Sequence, residues 1–156
     1  MKKRQRKSYI DTYFKELKLT ERSNIFKYKV SPSGLITNYY SIIKLTDSEG
    51  LDPLSSVASQ SLTTIYERMC DFYEIHTHLN IDDILNAKMD RFPLENGYAI
   101  DMKLLRQIIN IIKPTDIFIM SSSSKSPSMI IKVVNNDTDE DAFLMPLIMS
   151  KKDKKE

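Results

Sequence analysis

Apolar and polar positions follow their clearest rhythm late in the chain. Leu104, Leu105, Ile108, Ile111 and Ile112 recur at helical spacing, which predicts an amphipathic helix over Asp101–Lys113 with one core-facing stripe. Asp101 is placed to cap its first turn and Pro114 to end it. The opposite face carries Lys103, Arg106, Gln107, Asn110 and Lys113, and no acid. Solvated helix faces usually mix both signs, so a face with cations alone points to an anionic neighbour; an ordinary solvated face that lacks acids is the commoner alternative. Short apolar runs flank the helix: Tyr98–Ile100 before it, then Asp116–Ser121, Ser128–Asn135 and Ala142–Met149, separated by Ser, Asn and Asp clusters. The order is strand, helix, strand, strand, strand.

Upstream, both periodicities occur. Tyr9, Ile10, Tyr13, Phe14 and Leu17 share a helical face, predicting a helix over Ser8–Leu19. Asn24–Val30 and Leu35–Leu45 read as two strands joined by the turn Ser31-Pro32-Ser33-Gly34. From Thr46 to Ser56 the composition turns polar, with Gly50 and Pro53, and marks an internal boundary. Leu62, Ile65, Tyr66, Met69, Phe72 and Tyr73 predict a second amphipathic helix whose polar side, with Glu67, Arg68, Asp71 and Glu74, is acidic on balance. A third helical piece is expected over Ile81–Met89, capped by Asn80. Within this region Val57–Tyr66 resembles, weakly, the small-residue turn and polar segment of a helix-turn-helix, which sets up a competing expectation of a DNA-binding regulator.

Composition narrows the class without deciding it. In 156 residues, 41% apolar content is enough for a real core, and a formal net charge of +2 gives no strong global field. Any nucleic-acid contact must then come from local clusters. One is Met1–Lys7, where Lys2, Lys3 and Arg4 lead five basic residues in seven, set to reach phosphates or simply to stay solvated. Cys70 is the single cysteine, which excludes an internal disulfide, and no apolar run approaches a membrane span. A cytoplasmic protein without a membrane partner is expected.

No catalytic or cofactor pattern stands out. His76 and His78 have Cys70 upstream but no second ligand pair to complete a zinc site. The acids of Asp137–Asp141 lack the glycine and the bidentate Glu of a calcium loop, and read as a hairpin connection. The serine run Ser121–Ser124 has no triad around it, and three scattered glycines build no phosphate loop. A non-enzymatic binding protein without a cofactor follows.

Over about 52 residues, Tyr98–Met149, the element order combines with specific residues: the doubled Leu104-Leu105, Ser126-Pro127 opening a strand with Ile130 and Ile131, and Met145-Pro146-Leu147 near the end. In this the segment resembles the closing half-domain of the bacterial DNA polymerase sliding clamp (beta subunit). The resemblance implies an α+β fold, with a clamp-like strand-helix-strand-strand-strand half-domain at 96–149 after a mixed helical and stranded part at 9–95. A basic tail at 1–8 and a charged tail at 150–156 flank them. It also implies that Lys103, Arg106 and Lys113 face double-stranded DNA through its backbone, without reading bases. Pro127, Met145, Pro146 and Leu147 would line a pocket for peptide motifs of replication proteins, although Ile148 stands where the family has a basic residue. A chain this short holds at most one clamp domain, so a ring would take about six copies. Otherwise the chain is a phage or mobile-element accessory, a clamp mimic or inhibitor, that engages a host replication or defence protein.

Overall fold

The computed structural model describes residues 3–15 (side chains from 6), 25–47, 50–94, 97–122 and 128–148, and its fold is α+β. The helices are α1 (Lys3–Lys15), α2 (Ser56–Phe72), α3 (Ile81–Asn86) and α4 (Met102–Ile112). The longer strands are β3 (Ser41–Lys44), β5 (Tyr73–Leu79), β7 (Tyr98–Asp101), β8 (Asp116–Ser122), β9 (Met129–Asn135) and β10 (Glu140–Leu144). The shorter ones are β1 (Lys29–Val30), β2 (Leu35–Thr37), β4 (Asp52–Pro53), β6 (Arg91–Pro93) and β11 (Leu147–Ile148).

The centre is a six-stranded antiparallel sheet in the order β2-β3-β10-β9-β8-β5. Side chains alternate between its faces. Ile36, Ile43, Ile117, Ile131, Val133, Ala142 and Leu144 face α1 and α4 and form the main core with Tyr13, Phe14, Leu105 and Ile108. On the other face Leu35 and Ile42 meet Ala58 and Leu62 of α2, and Met120, Ile130 and Phe143 pack near its C-terminal half. The molecule is therefore three layers: a helix pair, the sheet and a single helix. β6, β7 and β11 make a separate small sheet, and β1 pairs with β4.

The helix α4 forms where the periodicity put it. Asp101 accepts the Leu104 N–H at 3.3 Å, and Lys113 ends the helix in the left-handed region, its N–H donating to Ile109 at 2.9 Å. Seven of its eleven residues are buried, so the solvated face is narrow. Among the described residues no helix is long and apolar enough to cross a membrane.

Several expectations are corrected. The segment expected as a basic tail, 1–8, is helical from Lys3, because the Arg6 guanidinium binds the buried Glu140 carboxylate of β10 and pins the first turns to the sheet. The expected helix end at Leu17 and Leu19, Lys2, Pro127 and the tail 150–156 lie outside the described residues. Leu35–Leu45 is a hairpin, not one strand: Asn38 Oδ1 accepts the N–H groups of Tyr40 and Ser41 and the Ser41 hydroxyl, folding the chain back. Gly34 holds a φ of +89°, and a Cβ there would lie 2.1 Å from the Leu45 carbonyl oxygen. Val57–Tyr66 lies inside one continuous helix of 17 residues, so it contains no helix-turn-helix turn. The strand expected over Ala142–Met149 breaks at Met145-Pro146; proline lacks the N–H a ladder needs, and the chain crosses from β10 to β11 in the other sheet. The parts 9–95 and 96–149 are not separate, because β10 pairs with β3 and β8 with β5 in one sheet.

Candidate functional site

Two surfaces carry the residues singled out in the sequence. The first is the helix pair. The hydroxyl of Tyr13 in α1 meets the Ser41 hydroxyl of β3 at 2.7 Å, and Arg6 binds Glu140, which also accepts the Thr46 N–H at 2.9 Å. These bonds lay α1 beside α4 on one face of the sheet. The exposed cations of the two helices and the α4 C-cap are Lys7, Lys15, Lys103 and Lys113. Asp11 is the one acid within the described helix pair; it lies 3.2 Å from Lys15. A hydrogen bond from Tyr28 and the neighbouring Lys15 hold its carboxyl below the usual range. Lys113 stands 5.6 Å from the centre of the Tyr9 ring, a cation–π distance that leaves its ammonium at the surface.

Arg106 does something else. Its guanidinium donates to the Ala87 carbonyl at 2.7 Å and the Met89 carbonyl at 3.3 Å, so it fastens the segment after α3 to α4. The arginine expected to touch phosphate is engaged within the fold. Lys3 and Arg4 lie on the first turn of α1, with side chains outside the described set.

The second surface is the corner where β10 leaves the sheet. Met145 is 45% exposed, and its N–H donates to the Tyr40 carbonyl at 2.9 Å. That bond sets Met145, Pro146 and Leu147 next to the tip of the β2–β3 hairpin, which presents Tyr39 and Tyr40 at 46% and 65% exposure. Tyr39 has a φ of +74°, an uncommon conformation for an aromatic residue. Its N–H donates to Thr37 Oγ1 at 3.1 Å, and Phe26 meets its ring edge-on at 5.5 Å. By pattern alone Tyr39 and Tyr40 read as residues of the expected strand Leu35–Leu45. Asn38, which tolerates and builds tight turns, was the available clue.

The remaining candidates are dispersed. His76 and His78 lie on β5, where His76 Nδ1 meets the Thr77 hydroxyl at 2.7 Å and His78 Nε2 meets Asp116 at 3.1 Å. Burial pushes the Cys70 thiol up from its ordinary pKa, away from thiolate reactivity. Tyr66 gives its hydroxyl proton to Asp141 at 2.7 Å, and burial together with that bond raises its pKa strongly. Among the described residues no three His, Cys, Asp or Glu side chains gather as metal ligands. Asp137 and Thr138 form the β9–β10 turn, donating their N–H groups to Asn135 Oδ1 at 2.9 and 3.2 Å. The chain matches no protein-family model, no curated protein and no solved structure.

Proposed function

We propose that this chain is a non-enzymatic, DNA-associated binding protein of sliding-clamp-like layout, which takes double-stranded DNA by its backbone on the α1–α4 layer. The observation that carries the reading is the balance of charge on that layer: Lys7, Lys15, Lys103 and the C-cap Lys113 are exposed against one acid of the two helices, Asp11, which pairs with Lys15. Contacts from Lys15, Lys103 and Lys113 would neutralise phosphates without selecting bases, which suits a protein that moves along a duplex. The chain order β7-α4-β8-β9-β10 is the one expected of such a half-domain, with β7 paired to β6 and β11 in the small sheet and β8, β9 and β10 in the large one. Arg106 has no part in it. In this reading the protein works in the cytoplasm as a phage or mobile-element factor, and a closed ring would be assembled from several copies.

A second reading, a clamp mimic or inhibitor that binds a host replication or defence protein, is favoured by the corner of Tyr39, Tyr40, Met145 and Leu147. Tyrosine and methionine are residue types enriched where proteins dock.

Fluorescence anisotropy with a duplex of arbitrary sequence separates the two. The DNA reading expects binding that weakens steeply between about 50 and 200 mM salt. The double variant Lys103→Glu with Lys113→Glu should reduce affinity at least tenfold and flatten the salt slope by about 2, since each lost phosphate contact removes about 0.9. Absence of binding at low salt removes the DNA reading and leaves the second.

A further inference from the structure

β5 closes one end of the six-stranded sheet and is hydrogen-bonded to β8 alone. Among the described residues no strand lies along its outer edge, so that edge offers backbone N–H and C=O groups to an added strand. Each side of the edge carries apolar groups among the polar ones of Glu74, His76, Thr77 and His78. Towards α4, a groove of about 320 Å³ runs beside His76 and Thr77 and is lined by Leu79, Phe92, Pro93, Ile119 and Met129. That volume sits at the lower end of ligand clefts, which begin at about 300 Å³. Towards α2, Phe72 and Ile75 stand 64% and 61% exposed. A strand laid along β5 would send alternate side chains to opposite faces, one into the groove and its neighbours onto Phe72 and Ile75.

Charge and register select the occupant. Asp71, Glu74, Asp82 and Asp83 are exposed around the two ends of β5, and no Lys or Arg occurs between Arg68 and Lys88. A second copy of this chain fits poorly. The bulge between Ile75 and Thr77 puts the halves of β5 out of step: Ile75 stands opposite Met120, which packs towards α2, whereas Leu79 stands opposite Ile117, which packs towards α4. A two-fold pairing of β5 with itself would match faces only near the bulge and bring the same acids together. We infer that β5 is a strand-addition site for an extended segment of another protein, one with a bulky apolar side chain at its centre and Lys or Arg on its flanks. This surface is separate from the lysine layer and does not depend on DNA being bound there.

The test uses the full chain, labelled with nitrogen-15, and two synthetic nine-residue peptides. Both alternate Val and Thr around a central Leu; one has two Lys at each end, the other two Glu. The expected result is that amide shifts concentrate on Tyr73–Leu79 and around Phe92 and Met129, with the Lys-flanked peptide binding at least tenfold tighter. Exchanging the exposed acids in the double variant Asp71→Lys with Glu74→Lys should reverse that preference. The inference is overturned if neither peptide shifts β5, or if both bind alike. It is equally overturned if sedimentation shows a dimer that Ile75→Lys dissociates, because the edge then belongs to a second copy.

Discussion

Arg106 and Lys103 are three positions apart on one helix, the first half-buried and the second exposed. The guanidinium of Arg106 donates to two backbone carbonyls after α3, that of Ala87 partly buried and that of Met89 exposed. A hydrogen bond to a charged group contributes about 1.5–3 kcal/mol, and removing this one leaves the partly buried Ala87 carbonyl without the guanidinium. Arg106→Ala should therefore lower stability by about 2 kcal/mol in a denaturant titration while leaving the salt slope of DNA binding unchanged. If the slope flattened with stability intact, Arg106 would be a phosphate contact after all. Glu140 shows the same division between sign and role: it is an acid on a strand, 1% exposed, and its charge is met by Arg6 from a segment that reads in isolation as a solvated tail.

The elements divide into those whose own residues specify them and those that depend on distant partners. The helix α4 needs no partner to be recognised, since stripe, cap and terminating proline coincide within fourteen residues. Its C-cap is the point at which stability and the proposed DNA contact separate. Lys113 adopts φ 58° and ψ 70°, where a side chain is disfavoured and glycine is not. Lys113→Gly should raise the melting temperature, because relief of about 1 kcal/mol exceeds the roughly 0.5 kcal/mol of an exposed cation–π contact to Tyr9. In the proposed DNA reading the same change weakens duplex binding by removing one cation. A fall in both quantities would mean that Lys113 is structural. By contrast α1 began earlier than its apolar stripe suggested, because the pin at Arg6 is 134 positions from its partner and nothing local announces it. β5 was missed for a related reason: Tyr73 fits the end of the α2 stripe and the start of a strand equally well, and only pairing with β8 decides. The Met-Pro ending was legible as a motif but not as a break, although proline's missing N–H already argued against an unbroken strand. Of the candidate sites, the lysines of α4 were readable from periodicity. The Tyr39–Tyr40 tip and the β5 groove were not, since each is assembled from segments far apart in the chain.

At the scale of the molecule, the sheet makes the two expected parts interdependent. β10 has β3 on one side and β9 on the other, and β8 lies between β9 and β5, so the C-terminal strands borrow both neighbours from the N-terminal part. The main core is shared in the same way: Tyr13 and Phe14 are fully buried beside Leu105 and Ile108. Cutting the chain at residue 96 would open two sheet edges, remove α1 from the helix layer, and expose the core-facing side chains of β8, β9 and β10 that α1 and the N-terminal strands cover. Domains of this size are stable by only about 5–15 kcal/mol, so a fragment of residues 96–156 should not fold. Its amide protons should exchange at unprotected rates and its proton spectrum should be narrow, whereas the whole chain should unfold in one transition whether followed by circular dichroism or by tyrosine fluorescence. A folded fragment that bound duplex DNA would return the C-terminal part to the status of a free-standing module. It would also move the lysine layer from a two-helix surface, which exists only when both parts of the chain are present, to α4 alone.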